Sequence, residues 1–239
     1  KLSDVGFTSV VIIQDEENSV HGDKKKHIVH SIHSAGTFIS YDVEQPKLSN
    51  NIMCVWMSSY NSLVKSRPQL IYGVSIINIF TGKSSIFEYK TTFENNPTTF
   101  DELERAVSIY NPCEVILLYD FLKITENEQG LMKNIKSYAG IDCNSIHELC
   151  IRDSKKTENC MKQQYIVQLL ETFFGSECYE TCEEFSRYHV ATQSFCYLLN
   201  FIQEHNPSLV KKIHTPTFGS TSVNAILANH TLKQLNIIE

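Results

Sequence analysis

Apolar positions along this chain fall first into short β-like runs and later into helical stripes. Residues 7–14, Phe-Thr-Ser-Val-Val-Ile-Ile-Gln, form a β-branched run that reads as a buried strand, and a polar loop follows over 15–26. Residues 27–39 mix apolar and polar positions as strands do, with an interruption at Ala35-Gly36. Further strands are predicted over 49–59, 71–80 and 84–90, the last two paired as a hairpin with its turn at Thr81-Gly82. Thr99-Phe100-Asp101-Glu102 has the form of a capping box. Phe100, Leu103, Val107 and Tyr110 then recur at helical spacing, and Asn111-Pro112 supplies the stop. Residues 113–120, Cys-Glu-Val-Ile-Leu-Leu-Tyr-Asp, are apolar on both faces, as a strand inside a helix-covered sheet must be.

The second half reads as mostly helical. A helix is predicted over 126–139 and a last strand over 145–151. Residues 157–174 step through Met161, Tyr165, Leu169 and Phe173. Thr181-Cys182-Glu183-Glu184 resembles a second capping box, opening a long helix whose packed face is Phe185, Tyr188, Thr192, Phe195, Leu199 and Ile202. Residues 207–222 read as an extended linker, and a final apolar segment runs over 222–239. Strand, hairpin, helix, strand is a mixed α/β order.

Composition narrows the function classes. Among 239 residues, 42% are hydrophobic and 20% charged, and no apolar run approaches the roughly 18 residues needed to cross a bilayer, so no membrane is expected as a partner. A net charge of −6 argues against a domain that grips nucleic acid through its overall field. The one dense basic run is Lys24-Lys25-Lys26, where any weak contact with DNA phosphates is expected; in the absence of such a contact it is a solvated loop. Cysteines 54, 113, 143, 150, 160, 178, 182 and 196 are irregularly spaced and form no CxxC pair. Cys54, Cys113 and Cys196 lie in apolar runs, which fits free thiols in a reducing intracellular compartment rather than a secreted protein. The chain has neither a signal-peptide pattern nor an initiator Met, and is expected to be a piece of something longer.

Gly82-Lys83-Ser84 ends like a phosphate-binding P-loop, but Ile77 stands where that motif needs its first glycine and the alternating residues after the lysine belong to a strand. A hairpin turn with Gly82 at positive φ and Lys83 in solvent is expected instead. His21, His27, His30 and His33 could be offered as metal ligands, but on a strand His30 would point away from His27 and His33. Cys178 and Cys182 could meet on one helical turn, yet two thiols alone make no zinc site. A metal-dependent nuclease needs several carboxylates together. The 71–80 strand offers only Asn78, which leaves Glu114 and Asp120 as the acids such an enzyme would have to use.

Taken in order, these segments resemble the connector domain of the MutS family of DNA mismatch-repair ATPases. Residues 6–14 resemble the strand that closes the family's mismatch-binding domain, and residues 24–40 the segment after it, with Ser34-Ala35 in place of Thr-Pro. Residues 72–89 are similar to the family's hairpin, residues 101–121 to its helix and strand, and residues 222–238 to the start of its lever and core domain. Asn78 stands for the usual Asp, Lys83 for Glu, and Asn229-His230 for an acidic residue and its neighbour, departures that resemble the divergent branch of giant viruses and octocoral mitochondria.

The resemblance implies an RNase H-like mixed sheet with flanking helices, and long C-terminal helices leading into a helical core domain. It implies the end of a mismatch-binding domain over 1–45, a connector domain over 46–205, and a linker with the start of the core over 206–239. The family's mismatch wedge and P-loop are then expected outside the chain, so it implies no catalytic, cofactor or metal residue here. In the intact protein it implies ATP and Mg, mismatched double-stranded DNA, a homodimer or heterodimer and a MutL-like partner. The alternatives are an RNase H-like metal-dependent nuclease or resolvase, and an interaction module unrelated to repair.

Overall fold

In the computed structural model, residues 2, 5–14, 27–37, 50–62, 67–121 and 128–219 are described. The elements in order are β1 (Ser9–Gln14), β2 (His27–His33), β3 (Asn51–Asn61), β4 (Pro68–Asn78), β5 (Ser84–Thr92), α1 (Asp101–Tyr110), β6 (Glu114–Asp120), α2 (Glu128–Tyr138) and β7 (Ser145–Cys150). The helical half follows: α3 (Lys155–Cys160), α4 (Gln163–Phe174), the single turns α5 (Cys178–Thr181) and α6 (Glu184–Arg187), then α7 (His189–His205), α8 (Pro207–Val210) and the short strand β8 (Thr217–Phe218).

One six-stranded sheet, in the order β7-β6-β3-β4-β5-β8, organises the molecule. Strands β3, β4 and β5 form an antiparallel meander, and β6 and β7 join beside β3 in parallel. A meander, a helix, a strand back beside the first, then a helix and an outer strand is the RNase H-like arrangement that the resemblance implies.

Period-two alternation divides the core. Met53, Val55 and Met57 of β3 face Phe100, Leu103 and Ala106 of the α1 region and Leu131 and Ile135 of α2, whereas Ile52, Cys54 and Trp56 face α7. Helix α7 crosses that second face obliquely. Its first turn lies on β4 and β5, and near its other end Phe201 meets His147 of β7, ring centroids 5.6 Å apart. A Cβ on Gly73 would fall 2.4 Å from the backbone of Ala191, so only glycine lets the helix lie this close. Glu88, opposite Gly73 in the ladder, accepts hydrogen bonds from the backbone N–H groups of Val190 (2.9 Å) and Ala191 (3.3 Å). Those groups have no intrahelical partner, and a carboxylate beside them also complements the helix dipole.

Several expectations are corrected. The run at 7–14 is not a buried strand: β1 and β2 form a separate two-stranded ribbon, with Ile12 and Val29 each 59% exposed. Thr99 does not cap α1; Asn96, one turn earlier, accepts from the Thr99 N–H and hydroxyl and caps the short 3-10 turn leading into the helix. The 157–174 helix is two helices, because Lys162 is extended, and Met161 is 55% exposed rather than core. Thr181 does not open the long helix, since Cys182 is extended and α7 starts at His189 on the Glu88 cap. The expected linker is folded instead: Leu209 and Ile213 are buried, and β8 pairs with Ser85 and Ile86 of β5. The segments 15–26, 38–49 and 220–239 lie outside the described residues, and with them Lys24, Lys25, Lys26, His21 and the expected start of the core domain.

Candidate functional site

The rim of the sheet where β3, β6 and β7 begin carries a buried polar cluster around Glu114. An acid opening an otherwise apolar internal strand must find partners, because an unpaired buried charge is costly. The Glu114 side chain is fully buried and has four. Oε2 accepts from the Ser34 hydroxyl (2.7 Å) and the Gly36 N–H (2.8 Å); Oε1 accepts from the Ser145 hydroxyl (3.1 Å) and lies 2.7 Å from His147 Nε2. An ionised carboxylate only accepts, so His147 carries its proton on Nε2. Burial pushes the Glu114 carboxyl up, but hydrogen bonds from His147, Ser34 and Gly36 outweigh it and hold the carboxyl below its ordinary value.

Each partner is placed by the fold. Ser145 is the ladder partner of Glu114, and His147 is two residues along the same face of β7. Ser34 and Gly36 belong to a turn closed internally, with the Ser34 N–H donating to the Thr37 hydroxyl at 2.9 Å, and held from the other side by Asn50, whose side-chain amide donates to the Gly36 carbonyl at 3.0 Å. A Cβ on Gly36 would lie 2.4 Å from Ile52 Cγ1 and 2.7 Å from Glu114 Oε2. The turn therefore seats against the strand only as glycine. Gly6, ahead of β1, packs against the backbone of Asn144, where an added Cβ would fall 2.1 Å from the carbonyl oxygen. Both strands of the exposed ribbon are thus gripped at their base by one corner of the sheet.

This geometry suits a mechanical joint. Four donors fill the roughly four acceptor positions of a carboxylate, leaving Glu114 none for a metal or a substrate proton. Asp120 stands at the other end of β6, about 20 Å away at roughly 3.3 Å per residue, and pairs with Arg152. Two carboxylates so far apart do not share metals about 4 Å from each other. Among the described residues, no group of three or more His, Cys, Asp and Glu could hold a metal ion.

The other sequence candidates fall elsewhere. Gly82 and Lys83 lie in a five-residue loop between β4 and β5, broader than the tight turn expected, and Ser84 opens β5; Gly82 has φ 71° and Lys83 is exposed. Asn78 holds this loop by accepting from the Thr81 N–H (2.9 Å) and hydroxyl, while its amide donates to Asn51 Oδ1 at 2.8 Å. An aspartate could make the first contacts but not the last. His30 and His33 do not diverge: the register shift opposite Val11 and Ile12 is a bulge at His30, and both rings reach the Ser31 hydroxyl, at 3.4 and 2.9 Å. All eight cysteines are free. Burial pushes the Cys54 and Cys160 thiols up to about 12. Burial and the Glu184 carboxylate push Cys182 up to about 11, where thiolate chemistry is suppressed. Among the described residues, no helix is long and apolar enough to cross a membrane.

Along 251 aligned positions, covering 98% of this chain, the sequence is 25% identical to a protein of Acanthamoeba polyphaga mimivirus described as a putative DNA mismatch repair protein MutS homolog. It is similar to a MutS homolog almost end to end. The chain spans 22% of that MutS homolog's length. No family model matches. Among solved structures, the fowlpox virus Holliday junction resolvase is similar at 11% identity and a TM-score of 0.36, over 63% of this chain and 98% of that one. The fowlpox virus resolvase complex with its substrate Holliday junction DNA gives 12% and 0.35, over 62% and 97%.

Sequence reasoning noticed Glu114 only as a nuclease candidate and missed Ser34, Asn50, Ser145 and His147. The available signal was Glu114 itself, the one acid at the head of an apolar strand, together with Ser145 and His147 alternating on a neighbouring strand.

Proposed function

We propose that this chain is the connecting module of a MutS-like mismatch-repair ATPase, passing the state of a DNA-sensing domain to an ATPase located elsewhere in the intact protein. The observation that carries this reading is the similarity to the viral MutS homolog over 98% of the chain. The Glu114 cluster with the Ser34–Gly36 turn is a latch between ribbon and sheet, and it supports this reading, because a two-stranded ribbon gripped at both strands by a stiff sheet transmits displacement instead of absorbing it. In this reading the divisions are 1–45, 46–205 and 206–239, the compartment is intracellular, and the chain itself hydrolyses no ATP. Mismatched DNA, Mg-ATP, a second subunit and a MutL-like partner belong to the intact protein. Lys24, Lys25 and Lys26 supply at most a weak phosphate contact.

The test is ATP hydrolysis by the full-length protein with matched and mismatched duplexes. The expected result is stimulation by the mismatch, and loss of that stimulation in Gly36→Val with the unstimulated rate retained. A full-length protein whose hydrolysis is indifferent to mismatched DNA would sink the reading.

A further inference from the structure

On the same rim as the latch, at the β4–β5 end, three lysines gather that pair with no acid among the described residues. The 211–214 segment is tied onto the β4–β5 loop: the His214 N–H donates to the Gly82 carbonyl at 2.8 Å, and the Ser84 hydroxyl donates to the His214 carbonyl at 2.7 Å. The Lys212 carbonyl oxygen would lie 1.8 Å from a Cβ on Gly82, so the two backbones touch. Lys83, Lys211, Lys212 and His214 therefore surround Gly82, and all four are exposed.

Charge balance sets this corner apart. Among the described residues, Arg67, Lys90, Arg105, Lys136, Arg152, Lys156 and Lys162 each pair with an acid; of those that do not, Lys133, Lys155 and Arg187 lie on α2, α3 and α6, whereas Lys83, Lys211 and Lys212 gather at one corner. No Asp or Glu occurs over 68–87 or over 205–219, the two stretches that build the corner. Beside the lysines, at the loop tip, stands Phe80, 51% exposed. Clustered ammonium groups are the chemistry that holds phosphate backbones, and an exposed ring beside them suits contact with a base or sugar.

We propose that Lys83, Lys211 and Lys212, with Phe80 at the loop tip, form a nucleic-acid contact that binds backbone phosphates. The contact uses lysines other than Lys24, Lys25 and Lys26. It extends the DNA side of the reading above but does not depend on the connector role. A net charge of −6 makes it weak and local, so salt governs it.

The experiment is fluorescence anisotropy of the 239-residue chain with labelled duplex and single-stranded DNA at low and moderate salt, without nucleotide. If three phosphates are neutralised, duplex affinity falls about 40-fold for a roughly fourfold rise in salt. Lys83→Gln, Lys211→Gln and Lys212→Gln combined should flatten that dependence and weaken binding at low salt with an unchanged melting temperature. Lys24→Gln, Lys25→Gln and Lys26→Gln combined should leave most of the binding. Weakening by Phe80→Ala on single strands alone would identify them as the source of the phosphates; equal binding of both forms with Phe80→Ala silent would identify duplex. Wild-type binding by the Lys83 triple variant, no binding at low salt, or competition by polyglutamate as effective as by DNA would each overturn the proposal. The mismatch-stimulated hydrolysis test above fails or succeeds independently of all these outcomes.

Discussion

At the residue scale the informative contrast is between two charged side chains that sequence alone treats alike. Lys83 is exposed and pairs with no acid among the described residues, so Lys83→Ala should change stability by no more than about 0.5 kcal/mol in chemical denaturation. Glu114 is buried and saturated with donors, so Glu114→Gln should cost about 2 kcal/mol or more at neutral pH. Its pH dependence has a defined sign. The folded carboxyl titrates below the unfolded value of about 4.3, so its stabilisation is complete above that value and is lost as pH falls through the folded one. The gap in melting temperature between wild type and Glu114→Gln should therefore shrink on acidification below about pH 4; a gap that widens there would contradict the latch. Gly82 was legible from sequence because a turn chemistry is local. Glu114 was not, because four partners from two segments distant in sequence define its role.

At the element scale, periodicity succeeds where an element's neighbours are uniform and fails where they are not. Thr192, Phe195, Leu199 and Ile202 do form the buried face of α7, and Leu199→Ala should cost about 2 to 5 kcal/mol, as should Leu103→Ala on the opposite face of the sheet. The start of α7 was misplaced because its cap comes from Glu88, about a hundred residues away, whereas Thr181-Cys182-Glu183-Glu184 only has the local form of one. The seat of the helix gives a sharper test than its face. At Gly73 an added methyl would meet helix backbone at 2.4 Å, which no rotamer change relieves. Gly73→Ala should destabilise by about 1 to 3 kcal/mol, measured by urea denaturation, while the same change at Gly219, where an added Cβ would meet only the Phe87 ring at 3.4 Å, should cost far less. Equal losses at the two positions would mean that α7 does not depend on close approach to β4.

At the scale of the whole molecule, a well-packed sheet carries a ribbon that, among the described residues, it grips by the base. Strands β1 and β2 were legible as strands from their β-branched runs, but their burial was not, because alternation says which residues share a face and nothing about what covers it. Two-stranded ribbons are at best marginal alone, and Val10, Ile12, Ile28 and Val29 are exposed apolar surface among the described residues. The connector reading accounts for this if the ribbon completes a domain formed mostly by other parts of the intact protein. Ile12→Ser combined with Val29→Ser should then change the melting temperature of the 239-residue chain very little, since exposed substitutions stay within about 0.5 kcal/mol. In the full-length protein the same pair should cost several times more, because each large apolar side chain gains about 1.5 to 3 kcal/mol when covered. Matching small effects in both proteins would leave the ribbon uncovered and remove its role as the arm on which the latch acts.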